Sequence, residues 1–244
     1  MSPAVRLTVL GASGSYPGPG AACSGYLVRA GGTAIAVDLG PGSLANLQHH
    51  CALGDLDAIV LTHSHPDHWT DLAGLEVAYI YDLGRTGVPV YGTPANRSKA
   101  EHLLDDLAPT FAWHNLSDGA TIQVGDLEIV TSRTHHYVET YALAIRAVPE
   151  AGGEAGSSET GSWLASSADT GPGWSFAALG RPIALGICEA PFLADREDQG
   201  ILHLSARQAG AMAAAAGVGR LVVTHLYPGV DPEAARAEAS AAFG

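Results

Sequence analysis

Short apolar runs alternate with glycine-rich polar segments along most of the chain. Three such runs stand near the amino terminus, at Val5–Leu10, Gly25–Arg29 and Thr33–Asp38, and Gly31 and Gly32 separate the last two. Runs of this length between turn residues are typical of β-strands, and two glycines suit a tight hairpin. The amino-terminal region is therefore predicted to be mostly β-structure.

Strand and helix patterns follow one another over the rest of the chain. Further strands are predicted at Asp57–Thr62, Val88–Tyr91, Thr121–Val124, Leu127–Thr131, Tyr141–Ala147, Trp163–Ser167, Ile183–Cys188 and Leu221–Thr224. Helices are predicted at Pro41–His50, from about Trp69 to Tyr81, from the N-cap Thr93 to about Leu107, from the cap Ser205 to about Ala216, and at Pro232–Phe243. The polar, glycine-rich stretch 149–158 is interpreted as a hairpin tip, because strand patterns resume soon after it.

The order of these elements favours two sheets over one. Strands dominate the first part of the chain, and alternation of strands with helices is clearest at both ends. An α/β sandwich of two sheets flanked by helices fits this order better than a doubly wound sheet. The 244 residues suffice for a sizeable core, and residues 1–244 are predicted to form a single domain.

Composition and charge narrow the class of protein. Hydrophobic residues make up 47% of the chain and charged residues 15%, which indicates a globular protein. The net charge of −13 makes a large nucleic-acid footprint unfavourable, since a negative field repels polyanions. A small anionic substrate stays compatible with this charge, because bound metal ions reverse the potential locally.

The cysteines and the apolar runs bear on the cellular compartment. Cys23, Cys51 and Cys188 are odd in number, widely spaced and free of any CxxC motif. This usage is typical of reduced thiols and predicts a cytoplasmic protein. The first residues show no signal-peptide pattern, and no apolar run is long enough to span a membrane.

A cluster of metal-ligand types directly follows the predicted strand Asp57–Thr62. His63, His65, Asp67 and His68 fall within six positions. Folding explains such a cluster poorly, because buried histidine and aspartate side chains need partners. Imidazole and carboxylate together suit Zn²⁺ and similar divalent ions, so the cluster predicts a metal site.

Three further residues of metal-ligand type lie at or just beyond the ends of later predicted strands. They are His136, Asp169 and His225. Strand ends at one edge of a sheet can converge, and rigid strands hold ligands to the tolerance that a metal needs. Together with the histidine cluster, these residues could form two adjacent metal sites.

Several short motifs accompany the histidine cluster. They are Leu10-Gly11-Ala12-Ser13-Gly14, Val37-Asp38-Leu39-Gly40, His63-Ser64-His65-Pro66-Asp67-His68, Ser167-Ala168-Asp169-Thr170-Gly171 and Val223-Thr224-His225. With these motifs nearly the whole chain resembles the metallo-β-lactamase superfamily, whose signature is HxHxDH. The resemblance implies an α/β fold, a four-layer αββα sandwich of two mixed β-sheets flanked by helices.

Two later segments refine the resemblance. Ile187-Cys188-Glu189-Ala190 and Leu202-His203-Leu204-Ser205-Ala206, followed by the helix Gln208–Ala216, are similar to ribonuclease Z-like proteins. In particular they resemble the short actinobacterial proteins described as atypical cyclic-nucleotide phosphodiesterases.

The resemblance assigns roles to individual residues. It implies two divalent metal ions, with Zn²⁺ as the first candidate and Mn²⁺ or Fe²⁺ as alternatives, which share a hydroxide that acts as nucleophile. One ion would be bound by His63, His65 and His136, the other by Asp67, His68 and His225, with Asp169 bridging the two. It further implies a catalytic group of Asp67, Glu189 and His203.

Some residues keep two interpretations. Side chains of adjacent residues on an extended chain point in opposite directions, so one of His135 and His136 should reach the metals, and the family spacing favours His136. His203 either assists at the phosphate or packs against the following helix. Asp38 either braces the metal loop or caps a turn, and the loop Gly11–Gly20 is either a wall of the active site or a plain turn.

Other histidines lack such a context. They fall in predicted helical or loop segments and are assigned to the surface or to packing: His49, His50, His102 and His114.

The resemblance favours hydrolysis of a small phosphodiester such as a cyclic nucleotide. A ribonuclease Z-type tRNA 3′-processing endonuclease is an alternative that the acidic charge opposes, and a lactonase- or lactamase-type carbonyl hydrolase is another. The expected partner is a small-molecule phosphodiester rather than nucleic acid or a membrane. Relatives usually continue past the last helix into a final strand, whereas the sequence here stops at Ala242-Phe243-Gly244, so either the carboxyl terminus is trimmed or that strand is absent. An exposed sheet edge could then pair two subunits into a homodimer.

Overall fold

The computed structural model describes residues 4–104, 106–148 and 163–244. The strands in these ranges are β1 Arg6–Gly11, β2 Gly25–Ala30, β3 Thr33–Leu39, β4 Ala58–Val60, β5 Val88–Gly92, β6 Phe111–Asn115, β7 Thr121–Val124, β8 Leu127–Arg133, β9 Tyr141–Ala147, β10 Trp163–Ser166, β11 Ile183–Glu189 and β12 Leu221–Thr224. The α-helices are α1 Ser43–Leu47, α2 Leu72–Ala78, α3 Pro94–Leu104, α4 Ala206–Ala215 and α5 Pro232–Phe243. The predicted hairpin tip over 149–158 lies outside the described residues.

The strands form two six-stranded mixed sheets, each from consecutive strands. The first sheet has the order β1-β2-β3-β4-β5-β6 and the second has the order β12-β11-β10-β9-β8-β7. In the first sheet β1, β2 and β3 pair antiparallel and β3 to β6 pair parallel. In the second sheet β7 to β10 pair antiparallel and β10 to β12 pair parallel.

Three apolar cores separate four layers. The middle core lies between the sheets and includes Tyr26, Val28, Ile35, Val37, Val60, Ile129, Leu143, Ile145, Leu164 and Ile187. On the outer face of the first sheet, α1 to α3 bury Leu47, Leu72, Leu75 and Ala100 against Ala36, Ile59 and Val90. On the outer face of the second sheet, α4 and α5 bury Ala206, Ala209, Ala213 and Ala235 against Val130, Ala142, Ala144 and Cys188.

Burial on both faces explains the continuous apolar runs of the central strands. In β3, Ile35 and Val37 belong to the middle core, while Ala34 and Ala36 belong to the helix-covered core. Strands buried on both faces need no polar alternation. The predicted sandwich of two mixed sheets flanked by helices is therefore the observed architecture.

The helix caps follow the predicted chemistry. Ser205 and Gln208 form a reciprocal capping box at the start of α4. The Thr93 hydroxyl accepts a hydrogen bond from the Asn96 amide at the start of α3 (3.1 Å). Close packing of α4 against α5 requires glycine at position 210, because a Cβ there would lie 2.3 Å from the Ala239 carbonyl oxygen of α5.

The largest differences from the prediction lie in the first two helices and in β6. The first two α-helices are shorter than expected, and a π-helical turn, Tyr79–Leu83, directly follows α2. The strand β6 falls in a segment predicted as loop, and it pairs with β5 while Phe111 packs in the helix-covered core. His114 thus lies on a strand, where its exposed ring stacks on Tyr91 with the ring centres 4.9 Å apart.

The architecture brings the ends of many strands to one edge of the sandwich. In the first sheet β3 and β4 end there, and in the second sheet β8, β10, β11 and β12 end there.

The three cysteines are buried and form no disulfide. Among the described residues, every helix falls short of the length and apolarity that a membrane crossing requires.

Candidate metal centre and active site

The loop after β4 carries the histidine cluster and is anchored from α3. The Asn96 side chain donates a hydrogen bond to the His63 carbonyl oxygen (2.7 Å), and Lys99 Nζ donates to the Ser64 carbonyl oxygen (2.7 Å). A single 3₁₀ turn, Pro66–His68, ends the loop. These anchors hold the ligand-bearing backbone against the end of the first sheet.

The first group of ligand atoms joins both sheets. His65 Nδ1 lies 3.2 Å from His63 Nε2 and 3.1 Å from His136 Nε2. Asp169 Oδ2 lies 3.5 Å from His63 Nε2 and 3.8 Å from His136 Nε2. His63 and His65 follow β4, whereas His136 follows β8 and Asp169 follows β10.

The second group lies beside the first. His225 Nε2 is 3.2 Å from both His68 Nε2 and Asp67 Oδ2, and His68 Nε2 is 3.6 Å from Asp67 Oδ2. All three side chains are buried, and His225 directly follows β12.

Asp169 contacts both groups. Its Oδ1 lies 3.3 Å from His68 Nε2, and its Oδ2 lies 3.5 Å from the Nε2 atoms of both His63 and His225. The structure thus brings together all seven residues that the sequence assigned to metal binding.

The spacing of the ligand atoms fits tetrahedral zinc-type sites. Metal–ligand bonds of about 2.0–2.1 Å place the ligands of a tetrahedron roughly 3.3 Å from one another. The imidazole–imidazole distances of 3.1 and 3.2 Å agree with this edge. The donor set and its spacing therefore suit divalent ions.

Hydrogen bonds at the Nδ1 atoms orient the rings of two histidines, His68 and His136. His68 Nδ1 donates to Asp38 Oδ2 (2.8 Å), and His136 Nδ1 donates to the Leu202 carbonyl oxygen (3.1 Å). Each bond fixes the tautomer that leaves the Nε2 lone pair for the site. Of the two interpretations of Asp38, the brace is the one observed, since the same carboxylate also accepts from the backbone and hydroxyl of Thr62.

We expect Asp38→Asn to lower metal affinity about 10–100-fold, the usual effect of removing a partner that orients a ligand. Asparagine keeps the side-chain volume and tolerates the left-handed φ of 55° at this position. It replaces one acceptor oxygen by an amide donor that faces Thr62 or His68. Competition with a chelating dye measures the affinity.

The matched control for Asp38 is Asp126→Asn, which alters a carboxylate that accepts from the Gly32 amide at a hairpin. Equal losses in both variants, or full affinity in the Asp38 variant, would contradict the bracing role.

The glycine-rich loop after β1 forms a wall of the site. The Ser15 amide donates to Asp67 Oδ2 (2.7 Å). Gly14 lies against His225, because a Cβ there would be 2.3 Å from the His225 carbonyl oxygen and 2.8 Å from its Nδ1. Of the two interpretations of this loop, these contacts support a wall beside the ligand groups rather than a plain turn.

Glu189 and His203 form a buried pair beside the ligand groups. Glu189 Oε2 lies 2.5 Å from His203 Nδ1, and the other carboxyl oxygen accepts a hydrogen bond from the Thr170 amide. His203 Nδ1 is 4.0 Å from Asp169 Oδ2. His203 could also complete a third ligand group with Asp169 and His225. It therefore lies in the site rather than only against the following helix.

The buried environment shifts the pKa values of His63, His65 and Asp67 in directions that favour metal binding, whereas for His68 burial is outweighed by the Asp169 and Asp38 carboxylates, which raise the pKa well above its ordinary value. Burial lowers the pKa of His63 well below its ordinary value and also lowers the pKa of His65. For Asp67, burial raises the pKa, but the His225 hydrogen bond and the His68 charge outweigh it and bring the pKa to about 2. Neutral imidazoles and ionised carboxylates are the forms that coordinate metal.

The pKa values of Glu189 and His203 are shifted in opposite directions. Burial and the Asp169 carboxylate raise the pKa of Glu189 well above its ordinary value, and burial lowers the pKa of His203. Both shifts favour the uncharged forms of the pair, in which the Glu189 carboxyl would donate to Nδ1 of His203 and the ring proton would lie on Nε2.

We expect His136 to make the metal-free protein less stable in acid. Burial lowers its pKa from 6.5 to about 4, against the opposing Asp169 charge. Between these pH values the unfolded chain binds a proton at His136 that the folded chain does not. The stability that this residue contributes is complete above pH 6.5 and is lost as the pH falls toward about 4. Urea unfolding of wild type and His136→Asn across this range, in chelator, measures the difference.

The His136 experiment has a clear control. His102→Asn, on an exposed part of α3, should leave the shape of the stability–pH curve unchanged. Parallel curves for wild type and His136→Asn would contradict the prediction.

His135 stays outside the ligand groups, as the alternation of side chains predicts. Its exposed ring lies against Gly173, where a Cβ would meet the ring at 2.4 Å. Sequence reasoning missed Asn96, Lys99 and the Leu202 carbonyl, which orient the ligands. Only the pairing of α3 with the metal loop reveals the first two, and a backbone carbonyl leaves no signal in sequence.

Residues 33–226 match the family model described as the beta-lactamase superfamily domain. The chain belongs to this superfamily. An uncharacterized protein of Mycobacterium tuberculosis is 34% identical over 249 residues, which cover 98% of this chain and 87% of the relative. A ribonuclease Z of Methanopyrus kandleri is 30% identical over 260 residues, with 96% and 91% covered.

One relative of this superfamily member is similar in both sequence and structure. The probable metallo-hydrolase YhfI of Bacillus subtilis is 28% identical over 91% of this chain and 87% of its own length. The crystal structure of YhfI superposes with a TM-score of 0.85, covering 99% of this chain and 94% of YhfI at 26% identity. The chain is thus a metallo-β-lactamase-fold hydrolase, similar to proteins named ribonuclease Z and YhfI, with histidine and aspartate clusters that could bind metals.

Proposed function

We propose that the protein is a binuclear metal-dependent phosphodiesterase that acts on a small phosphodiester such as a cyclic nucleotide. The observation that carries the proposal is the Glu189–His203 pair, joined at 2.5 Å and lying beside Asp169. Hydrolysis of a phosphodiester with a poor leaving group needs a proton donor for the departing oxygen as well as an activated water, and this pair is suited to that task.

The seven residues in two groups would hold the ions. His63, His65 and His136 would bind the first, Asp67, His68 and His225 the second, and Asp169 would contact both. Two bound divalent ions would supply a nucleophilic water at neutral pH and positive charge for the phosphoryl oxygens, with Zn²⁺ as the first candidate. Asp67 would hold its ion as a carboxylate and, through the Ser15 amide, keep the glycine-rich loop against the substrate.

The protein groups would manage the proton. His203 would give its Nε2 proton to the leaving oxygen as the P–O bond breaks. The Glu189 proton would move onto Nδ1 at the same time, so the ring stays neutral and Glu189 becomes the carboxylate. Because the imidazole never has to carry a charge, its burial does not oppose the transfer.

A ribonuclease Z-type activity is the second candidate. The relative from Methanopyrus kandleri that bears this name supports it. The net charge of −13 opposes it, because binding a long polyanion requires many cationic contacts. The small substrate, the cytoplasmic location and the homodimer remain predictions from the sequence.

The test is a substrate panel on protein stripped of metal and reloaded separately with Zn²⁺, Mn²⁺ and Co²⁺. We expect metal-dependent hydrolysis of bis-p-nitrophenyl phosphate and of cyclic AMP. Cleavage of a precursor tRNA in preference to these substrates would support the second candidate. Turnover of nitrocefin or a homoserine lactone, without phosphodiester hydrolysis, would overturn the proposal.

A further inference from the structure

Tyr137 presents a fixed aromatic face next to the first ligand group. Its side chain is 60% exposed, although it directly follows His136 in the chain. Its ring centre lies 5.3 Å from the His136 ring and 6.5 Å from the His203 ring. An aromatic ring therefore borders both the metal-binding group and the candidate proton donor.

The ring is held in place by its hydroxyl group. The Leu202 amide donates a hydrogen bond to the Tyr137 hydroxyl oxygen (2.9 Å), and the carbonyl oxygen of the same residue accepts from His136 Nδ1 (3.1 Å). One backbone unit thus orients both the metal-binding histidine and the tyrosine. An exposed tyrosine usually samples several rotamers, whereas a ring fixed at its far end has already lost that freedom.

From this arrangement we propose that Tyr137 is the platform on which a planar aromatic base of the substrate stacks. The proposal rests on the proposed function and narrows its substrate class to phosphodiesters of nucleosides. A phosphoryl group at the first ligand group would place a base, attached through one sugar, over the adjacent ring. Stacking on a pre-positioned aromatic face contributes affinity without a positive charge, which suits a protein of net charge −13.

Two substrates that differ only in the base test the platform. One is adenosine 3′,5′-cyclic phosphate, and the other is the cyclic ribose phosphate that carries no base. We expect Tyr137→Ala to raise KM for the nucleotide about tenfold, in line with the usual contribution of stacking on one aromatic ring. The kcat for the nucleotide and the KM for the baseless analogue should change little. Tyr137→Phe, which keeps the ring and loses the anchor, should fall between wild type and alanine.

Tyr81→Ala is the matched control, since Tyr81 is 83% exposed on the π-helical turn after α2. Equal losses on both substrates in Tyr137→Ala would show that the residue only supports His136, and would overturn the platform. Unchanged kinetics for the nucleotide would overturn it as well.

Binding of the same two compounds to the metal-loaded protein by calorimetry separates this proposal from the activity. If neither these compounds nor bis-p-nitrophenyl phosphate are hydrolysed, the proposed function fails. The platform then stands only if the nucleotide still binds more tightly than the baseless analogue, and if Tyr137→Ala abolishes that preference. Equal binding of the two compounds to wild type would overturn the platform, whatever the outcome for turnover.

Discussion

Asp169→Asn is expected to reduce kcat/KM on the order of 10³-fold. This is at least the loss that usually follows when one group that stabilises charge in the transition state is removed. The same substitution should lower the bound metal per chain. Asp169 is the carboxylate that contacts both ligand groups, at 3.3 Å from His68 and 3.5 Å from His63 and His225. Its amide counterpart keeps the volume but removes the negative charge and one acceptor oxygen. Metal analysis by mass spectrometry and kinetics on bis-p-nitrophenyl phosphate measure the two effects.

Asp82→Asn serves as the control for Asp169, because Asp82 is exposed on the π-helical turn. It removes the same charge from the surface and should leave metal content and activity near wild type. Full metal content with full activity in Asp169→Asn would rule out a shared ligand. Loss of one metal equivalent rather than two would assign Asp169 mainly to one group.

The second large effect is expected at His203, with metal retained. His203→Ala should lower kcat by about 10²–10⁴-fold on a substrate with an alkoxide leaving group, the range of general acid catalysis. On bis-p-nitrophenyl phosphate the loss should be much smaller, because p-nitrophenolate leaves without protonation. Glu189→Gln should follow the same pattern more weakly, since the amide can still contact Nδ1 but cannot take the carboxylate form.

The leaving-group comparison distinguishes chemistry from structure. If His203 had a purely structural role, His203→Ala would lower kcat by the same factor on both substrates. The same equal loss is expected if His203 is a metal ligand in the third group with Asp169 and His225. His102→Ala, on α3, is the control for removal of a histidine. Equal losses on the two leaving groups, or a fall in bound metal, would contradict the proton-donor role.

Much of the fold was predictable because each central strand is a short apolar run between turn residues. The bounds of β7 and β9 were predicted as observed, and so were those of α5. The strand β6 was not, because its Trp113, His114 and Asn115 give no apolar run, and pairing with β5 is what makes it a strand. Tertiary pairing here overrides local preference.

The candidate ligands were also predictable, because histidine and aspartate at strand ends have few structural reasons to be there. Their supports were harder to foresee. Asp38 kept two interpretations until its contacts with Thr62 and His68 were seen. Asn96 and Lys99 lie on a helix about 30 positions after the loop that they anchor, at separations of 33 and 35 residues, and spacing alone cannot indicate that pairing.

The two sheets come from two successive halves of the chain, with β1 to β6 before residue 116 and β7 to β12 after residue 120. The first half supplies His63, His65, Asp67 and His68, and the second supplies His136, Asp169 and His225. Neither half alone contains the complete first or second ligand group, so metal binding at these two groups requires that the halves have packed together. Bound ions would link the two halves, because each ion would have ligands from both. Two fragments divided between β6 and β7 should therefore associate more tightly when metal is present.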